Sequence, residues 1–356
     1  MVPMRELLTE HAEVLGSDGV GIVSRIESSL AFAEQLLAVN PKFARANPQV
    51  AERLKQIKNQ DRHYVAHEYF NHDWQPMSFG KMAQWLKEAK VQWACSARYL
   101  DAIDAINLTT EQQQLLAAIP DPMFRETTRD FCVNQYFRKD YWVKGIRRLS
   151  GLEQTERLRT QRVILVKPRA EVELKVTGHA GEATLQAGMY APVLDLLADH
   201  KPRTLGEMEQ SVAAQGVNFA ALVQAVMVLT AMGALMPVQE EAVMAMAKKH
   251  TDRLNAYLMS KARSNPALQY LASPVTGGGI AMDQFEQFFL RARQLGHKEP
   301  QDCAAFAWNL LESQGQFLMK DGKKLATSQE NLAEMVSIAH LFAEKRLPIL
   351  KALQLA

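Results

Sequence analysis

Apolar residues recur every three or four positions along most of this chain, which is the spacing of one face of an α-helix. Leu7 and Leu8 belong to one such stretch, and Ile26, Leu30 and Leu37 belong to the next. Later stretches continue the pattern, up to the end of the chain: FGKMAQWLKEA, LTTEQQQLLAAI, DPMFRETTRDFCVNQYF, AMDQFEQFFLRARQLG and ENLAEMVSIAHLFAEKRLPILKAL. The chain is therefore predicted to be mainly α.

Short strands interrupt the helical pattern. The stretch VQWACSA favours one strand. A polar, charged linker is predicted at 150–162, and the run Val163–Val166 that follows is apolar throughout, as in a buried strand. Val172, Leu174 and Val176 then alternate with charged residues, as in a half-buried strand. The predicted fold class is mainly α with small β elements.

Between residues 189 and 239 the predicted elements follow the order of a winged helix: helix, turn, helix, turn, helix, strand. Thr204 and Asn218 stand where the second and third helices need caps. A winged helix that reads DNA uses its third helix, whose side chains must reach bases and phosphates. Here that helix, NFAALVQAVMVLTAMG, contains neither lysine nor arginine. A protein contact or a structural role is therefore expected, and nucleic-acid binding is not.

These patterns predict three domains in the 356-residue chain. A helical domain is predicted at 1–150, a winged-helix-like domain at 160–240 and a helical C-terminal domain at 241–356. The composition is 47% hydrophobic and 22% charged, which is typical of globular domains with substantial cores.

Charge and cysteine content exclude several classes of protein. The 41 basic and 39 acidic residues leave a net charge of +2, which provides no general attraction for nucleic acid or an anionic membrane. Cys95, Cys132 and Cys303 are too scattered for a disulfide framework or a cysteine-based zinc site. The sequence shows no apolar run of about 18 residues and no signal-peptide pattern. We therefore expect a cytoplasmic protein without membrane insertion.

The stretch RHYVAHEYFNHDWQP contains three histidines, a glutamate and an aspartate, which are residue types found in metal and catalytic sites. His67 begins the His-Glu-x-x-His motif of zinc peptidases, but Asn71 stands where the second histidine is required. His72 is five positions from His67, a rotation of about 140° on a helix, so the two do not share a face. His63 and His67 share one, yet no third ligand is evident. No metal site is expected, and the stretch is interpreted as fastening a helix end.

Two other patterns have competing interpretations. The stretch FRKDYWVKGIRR could bind an anion, but an amphipathic segment with a solvated basic face is favoured. The glycines of SPVTGGGIAMDQFE could surround a phosphate, but a flexible loop is favoured. The sequence has no Gly-x-Gly-x-x-Gly after a strand and no Gly-x-Ser-x-Gly elbow. On its residues alone, the chain is not expected to be a self-sufficient enzyme.

Two motifs resemble the predicted methyltransferase regulatory domain. That family is recognised by x-Tyr-x-x-His-Glu-Tyr-Leu/Phe-Asn followed by Trp, Pro and an aromatic residue, and later by Arg-Asp-Phe-x-x-Asn-x-x-Phe-Arg. The resemblance covers about residues 45 to 145, with both motifs in order. The matching residues are Tyr64, His67, Glu68, Tyr69, Phe70, Asn71, Trp74, Pro76 and Phe79, then Arg129, Asp130, Phe131, Asn134, Phe137 and Arg138.

The resemblance implies a regulatory, substrate-recognition and dimerisation role in an S-adenosylmethionine-dependent methyltransferase, with protein lysine as the expected acceptor. Such enzymes begin with a Rossmann-like domain that binds the donor, and no such pattern occurs in this sequence. The chain is therefore expected to be a non-catalytic part of the enzyme, with no cofactor of its own. Its expected partners are the methyltransferase catalytic domain in cis or in trans, a protein substrate and a second copy of the chain.

The candidate contact or substrate-facing residues come from the two motifs. They are Tyr64, His67, Glu68, Tyr69, Asn71, Trp74, Phe137 and Arg138. No catalytic, cofactor-binding or metal-binding residue is assigned. The competing hypothesis is a winged-helix transcription regulator with helical dimerisation domains, which would need a basic surface around the third helix. A metal-dependent enzyme centred on His63 and His67 is a more distant alternative.

Overall fold

The computed structural model describes residues 2–16 and 19–356. Helices account for 59% of the chain, and the strands are short, which confirms the mainly α fold class with small β elements. The described residues fall into two compact units, of which the first ends at Ser78 and the second begins at Phe79. The domain boundaries expected near residues 150 and 240 stay predictions.

The first unit is helical, as the spacing of its apolar residues predicts. Its core is built from the residues that recur at that spacing, such as Leu8, Ile26 and Leu30, all fully buried. The last helix is capped by Asp61, whose carboxylate accepts a hydrogen bond from the Tyr64 N–H at 3.0 Å. The helices are α1 (Val2–Val14), α2 (Ile22–Ala38), α3 (Lys42–Ala46), α4 (Gln49–Lys58) and α5 (Arg62–Tyr69).

The second unit begins with a small helical layer beside a two-stranded antiparallel sheet. Strand β1 pairs with β2, and a bulge lies between Trp93 and Cys95. A 3₁₀ turn at Tyr99–Ala102 follows β1. The elements are α6 (Phe79–Glu88), β1 (Val91–Ser96), α7 (Asp104–Asn107), α8 (Thr110–Ala117), α9 (Pro122–Val133) and β2 (Asp140–Lys144).

The linker expected at 150–162 is a helix, so that prediction was wrong. Ser150 and Glu153 form a capping box: each side chain accepts a hydrogen bond from the other residue's backbone N–H. The helix has no buried residue, so its sequence lacks the apolar stripe that reveals a helix. It is α10 (Gly151–Arg159).

The middle of the second unit combines three helices with a three-stranded antiparallel sheet of order β6-β3-β7. Thr204 and Asn218 cap the second and third of these helices, as their positions predict. A separate hairpin, β4–β5, precedes the helices. The elements are β3 (Arg162–Leu165), β4 (Lys175–Gly178), β5 (Gly181–Thr184), α11 (Ala187–Leu196), β6 (Arg203–Thr204), α12 (Leu205–Val212), α13 (Phe219–Ala231) and β7 (Leu235–Pro237).

Strand β3 is buried on both faces, which explains its unbroken apolar sequence. Val163 and Leu165 pack into the core formed by α11, α12 and α13. Ile164 packs into the core of the C-terminal helices. Because alternate side chains of a strand point to opposite faces, both sets must be apolar.

Two other expected elements differ in the structure. The strand predicted over 172–176 begins only at Lys175, because a 3₁₀ turn at Arg169–Glu171 and irregular backbone precede it. The glycine-rich stretch expected to be a flexible loop forms the hairpin β8–β9 instead. Gly277 supplies the positive φ of +68° in its turn.

The C-terminal part is a helical layer around buried aromatic residues. Phe288, Phe289 and Trp308 are almost fully buried in one core with the last helices. The elements are α14 (Glu241–Ala262), β8 (Tyr270–Ser273), β9 (Gly278–Ala281), α15 (Gln284–Gln294), α16 (Pro300–Ser313), β10 (Met319–Lys320), β11 (Lys323–Lys324), α17 (Ser328–Leu341) and α18 (Leu347–Ala352).

Within the described ranges, no single helix has the length and apolar composition needed to cross a membrane. The segments Leu205–Gln215 and Phe219–Ala231 meet that test only as a pair, with a bend of 114° between them.

Candidate functional site

In the first unit, the end of α5 is held by Arg5 from α1. The Arg5 side chain donates hydrogen bonds to the carbonyl oxygens of Tyr69, at 2.8 Å, and of Asn71. Its guanidinium carbon also lies 4.8 Å from the centroid of the Trp74 ring, which is a cation–π contact. Arg5 is only 9% exposed, so these contacts satisfy a nearly buried charge.

The other candidates in that stretch face solvent. The side chains of Tyr64, His67 and Glu68 are exposed, and none makes a hydrogen bond or ion pair with another described residue. Because they are exposed and lack such partners, the side chains of Tyr64, His67 and Glu68 are available for contact with another molecule.

Across residues 2–16 and 19–356, no group of three or more His, Cys, Asp or Glu side chains is placed to hold a metal ion.

In the second unit, Arg138 is the centre of an ion-pair network. Its guanidinium nitrogens lie 2.6 Å from Asp130 Oδ1 and 3.0 Å from Glu126 Oε2, both on α9. They lie 2.9 Å from both carboxylate oxygens of Asp140 at the start of β2. The Trp93 indole N–H of β1 also donates to Asp140 at 2.9 Å. Arg138 therefore joins α9 to the two-stranded sheet.

Burial and charge shift the pKa values of this network. Burial alone would lower the pKa of Arg138, but its hydrogen bonds to Asp140 and Glu126 raise that pKa above the ordinary value for arginine. Burial raises the pKa of Asp130 above its ordinary value of 3.8, although the charge of Arg138 opposes this. Arg138 thus stays charged, while Asp130 holds its proton to a higher pH than an exposed aspartate.

Phe137 differs from Arg138 although it is its neighbour in sequence. The Phe137 side chain is 61% exposed, and Phe131 and Tyr136 are 84% and 90% exposed. The two candidates of the second motif therefore serve different purposes: Arg138 holds the unit together, and Phe137 belongs to an exposed aromatic surface.

Two adjoining clefts lie next to the Arg138 network. The first, which we call the α9 cleft, has a volume of about 230 Å³. The second, which we call the hairpin cleft, has a volume of about 500 Å³. The α9 cleft is lined by Trp93, Cys95, Ser96, Asp101, Ala102, Asp104, Asn107, Glu126, Arg129, Asp130, Val133, Gln135, Arg138 and His179. The hairpin cleft is lined by Ala97, Arg98, Tyr99, Leu100, Asp101, Asn107, Thr177, Gly178, His179 and Ala231.

The tip of the β4–β5 hairpin completes both clefts because it docks on α7. The His179 backbone N–H donates to Asn107 Oδ1 at 3.1 Å, and the Ala180 N–H donates to the Ile106 carbonyl at 3.3 Å. Gly178 allows this approach, since a Cβ atom there would lie 2.1 Å from the Ile106 oxygen. The two hydrogen bonds, which the glycine permits, therefore hold His179 at the junction of the two clefts.

The α9 cleft is acidic. Four carboxylates line it, and only two guanidinium groups, those of Arg129 and Arg138, offset them. Arg129 bonds to Asp104 Oδ1 and to the backbone oxygen of Asp101, both at 2.5 Å. The cleft is therefore suited to a cationic group.

The sequence analysis did not identify Glu126, Asp101 or His179 as site residues. Asp130 was matched in the family motif but was not assigned to a site.

Comparisons with known proteins place the chain in a family. The family described as "Predicted methyltransferase regulatory domain" matches residues 61–144. The chain is 36% identical over 351 residues to "Uncharacterized protein sll1526" of Synechocystis sp., which spans 99% of this chain and 68% of that protein. The chain therefore belongs to the family of proteins that carry the predicted methyltransferase regulatory domain, which confirms the resemblance found in the motifs.

Two solved structures share the fold. PKMT2 from Rickettsia typhi in complex with AdoHcy has a TM-score of 0.59 at 17% identity, with coverage of 96% of this chain and 70% of that one. A second structure of PKMT2 from Rickettsia typhi has a TM-score of 0.57 at 14% identity, with coverage of 98% and 72%.

This likeness corrects the expectation that the chain is not an enzyme. Nearly the whole chain aligns with about 70% of PKMT2, so the chain shares the fold of most of that protein. The expectation rested on a missing glycine-rich motif, and the absence of one sequence pattern did not exclude the fold. The role of the chain is related to methyl transfer.

Proposed function

We propose that this chain recognises the methyl acceptor in an S-adenosylmethionine-dependent protein methylation, and that the acceptor is a lysine side chain that enters the α9 cleft. The family match and the AdoHcy complex of PKMT2 support methyl transfer from S-adenosylmethionine. Lysine is proposed as the acceptor because the α9 cleft is acidic and a lysine side chain is cationic.

The carboxylates of the α9 cleft have unused hydrogen-bonding capacity. Asp101 accepts from Ser96 Oγ through Oδ2 only, and Asp130 and Glu126 each accept from Arg138 through one oxygen. The second oxygen of each carboxylate has no hydrogen bond from a described residue. A lysine ammonium carries three N–H donors and no acceptor, which suits such a set of oxygens. The wall formed by Trp93 adds an aromatic surface for the cation.

We also propose the partners of the chain. The S-adenosylmethionine-binding part of the methyltransferase, in cis or in trans, and a second copy of the chain would contact the exposed candidates. Tyr64, His67 and Glu68 of the first unit and Phe137 of the second are the residues proposed for these contacts. Their exposure and lack of polar partners support this assignment.

Peptide binding tests the proposed function. Fluorescence anisotropy would compare a peptide that carries one lysine with the same peptide carrying N-acetyl-lysine. We expect the lysine peptide to bind and the acetylated peptide to bind at least tenfold more weakly, because acetylation removes the charge. Equal binding of both peptides, or binding of neither, would contradict the proposal.

Two conservative variants localise the binding. Asp101→Asn and Glu126→Gln keep an acceptor oxygen for Ser96 and Arg138 but remove a negative charge from the α9 cleft. Both are expected to weaken lysine binding. Glu173→Gln is the matched control, since Glu173 is exposed and lines neither cleft.

The structure gives the winged-helix regulator little support. On α13 only Ala220, Gln224 and Ala231 are exposed, and none of them is basic. DNA recognition needs cationic contacts to phosphates. The tip of the β4–β5 hairpin is also occupied by its contact with α7. A methyltransferase role therefore explains more of the molecule.

A further inference from the structure

The two clefts differ in charge. The hairpin cleft presents Arg98, whose side chain is exposed and has no hydrogen bond or ion pair with another described residue. Of the described residues that line this cleft, Asp101 is the one carboxylate, and its Oδ2 accepts from Ser96 Oγ at 2.6 Å. The α9 cleft, in contrast, has four carboxylates against two arginines. The α9 cleft therefore has an excess of carboxylates, whereas the hairpin cleft offers one exposed guanidinium group that has no ionic partner among the described residues.

The clefts adjoin at a fixed boundary. Asp101, Asn107 and His179 line both of them. Asn107 is 4% exposed, and its amide donates to the carbonyl oxygens of Leu100 at 2.7 Å and Ile103 at 2.9 Å. Because this boundary is held by hydrogen bonds of the buried Asn107 side chain, the spacing between the two clefts is set by the fold.

We infer that the acceptor segment is read at two points, with its lysine in the α9 cleft and an acidic side chain, a few residues away in the same segment, against Arg98 in the hairpin cleft. This inference rests on the proposed function and adds a sequence preference to it. Tyr99 and His179 line the same cleft as Arg98.

An extended protein segment is the occupant that fits both charges. Consecutive residues of an extended chain advance by about 3.3 Å, so two adjoining clefts correspond to side chains a few positions apart. A small cation would fill only the α9 cleft and leave Arg98 without a partner. Charge complementarity therefore favours an acceptor in which a lysine and an aspartate or glutamate are close in sequence.

A peptide series tests the inference with the full chain. Each peptide has one lysine and one variable position, from four residues before the lysine to four after it, occupied by Asp, Asn or Lys. At one or more positions, Asp is expected to bind roughly two- to fivefold more tightly than Asn, which is the range for an exposed ion pair. The preference should shrink at high salt, since exposed charges are screened.

Charge reversal at Arg98 tests whether this residue causes the preference for Asp at the variable position of the peptide. In Arg98→Glu, the peptide with Lys at the variable position is expected to bind more tightly than the peptide with Asp, and Arg98→Gln should show no preference. Arg253→Glu is the matched control, because Arg253 is exposed in the same unit and lines neither cleft. It should retain the preference for Asp.

The outcomes separate this inference from the proposed function. If lysine peptides bind but Asp and Asn are equivalent at every position, the two-point recognition is wrong and the proposed function stands. If the Asp preference survives in Arg98→Glu, the assignment to the hairpin cleft is wrong. If acetyl-lysine peptides bind as well as lysine peptides, the proposed function fails, and the inference fails with it.

Discussion

The guanidinium carbon of Arg138 lies 4.3 Å from the centroid of the Phe79 ring. Phe79 is the first residue of α6 and is only 4% exposed, and its ring also contacts the rings of Trp93 and Trp142. Arg138 is thus stacked on an aromatic cluster on one side and bound to three carboxylates at its edge. The candidate residue that was expected to face a substrate or a partner is a structural link beside the cleft.

Removing this link should destabilise the second unit. Arg138→Ala leaves Asp140, whose side chain is 7% exposed, and two other carboxylates without their cation. Breaking such a pair costs about 3 kcal/mol of unfolding free energy. Urea denaturation followed by circular dichroism measures the loss.

Arg147→Ala is the control for that change. Arg147 pairs with Glu153, but its side chain is 75% exposed. Solvent screening makes the contribution of such an exposed pair small, so Arg147→Ala should lose much less stability than Arg138→Ala. Equal losses in the two variants would show that Arg138 is not a structural link.

Lysine binding should depend on the protonation of Asp130. Burial raises the pKa of Asp130 above its ordinary value of 3.8, so this carboxylate becomes neutral at a higher pH than an exposed aspartate during acidification. A cationic ligand binds more tightly when the Asp130 carboxylate is deprotonated and therefore negatively charged. The affinity for a lysine peptide should therefore fall as the pH decreases through the pKa of Asp130.

The variant Asp130→Asn isolates this contribution. It should bind the peptide more weakly at neutral pH, and its affinity should change less than that of the native protein over the same range of pH. Isothermal titration calorimetry between pH 7 and pH 4 measures both. Parallel pH profiles in the two proteins would exclude Asp130 from the site.

The docking of the hairpin tip should depend on Gly178. In Gly178→Ala the new methyl group collides with the backbone oxygen of Ile106, so the tip must move away from α7. Amide exchange at His179 and Ala180 should then accelerate, since their N–H groups bond to α7. Lysine peptides should also bind more weakly.

Gly188→Ala is the matched control for the hairpin. A Cβ atom at Gly188 meets nothing within 4 Å, and the residue lies in α11, where alanine is preferred by about 1 kcal/mol. Hydrogen exchange at the hairpin tip should be unchanged in this variant. Acceleration in both variants would mean that the tip is not held by α7.

Arg5 should stabilise the end of α5. Arg5→Ala removes hydrogen bonds to two carbonyl oxygens and the contact with Trp74. The expected loss is about 2 kcal/mol, since hydrogen bonds to charged groups contribute more than neutral ones. Arg45→Ala, at an exposed arginine of α3, should have almost no effect on the urea denaturation midpoint.

Sequence patterns predicted the elements whose signals are local. The spacing of apolar residues revealed most helices, and the caps Thr204 and Asn218 lie where the sequence placed them. Helix α10 was not predicted because it buries no apolar side chain, although Ser150 and Glu153 have the spacing of a capping box. The strand β3 was found because a run buried on both faces is apolar throughout.

The candidate site was predicted less well because it depends on distant contacts. Arg5 and Asn71 are 66 positions apart in the sequence, and Asn107 and His179 are 72 apart. A glutamate such as Glu126 on an amphipathic helix gives no local sign that it faces a cleft. Motif recognition identified Asp130 and Arg138, but only the folded chain shows that they lie beside one another.

Photo-crosslinking shows where the lysine side chain of a bound peptide lies on the protein. A peptide in which lysine is replaced by a lysine analogue that carries a diazirine would be irradiated with the full chain, and the attachment sites would be mapped by mass spectrometry. We expect crosslinks within residues 93–104, 126–138 and 177–179. An excess of unmodified lysine peptide should suppress these crosslinks, and an excess of acetyl-lysine peptide should not. Crosslinks that lie outside these segments, or that both competitors suppress equally, would contradict the proposed lysine site.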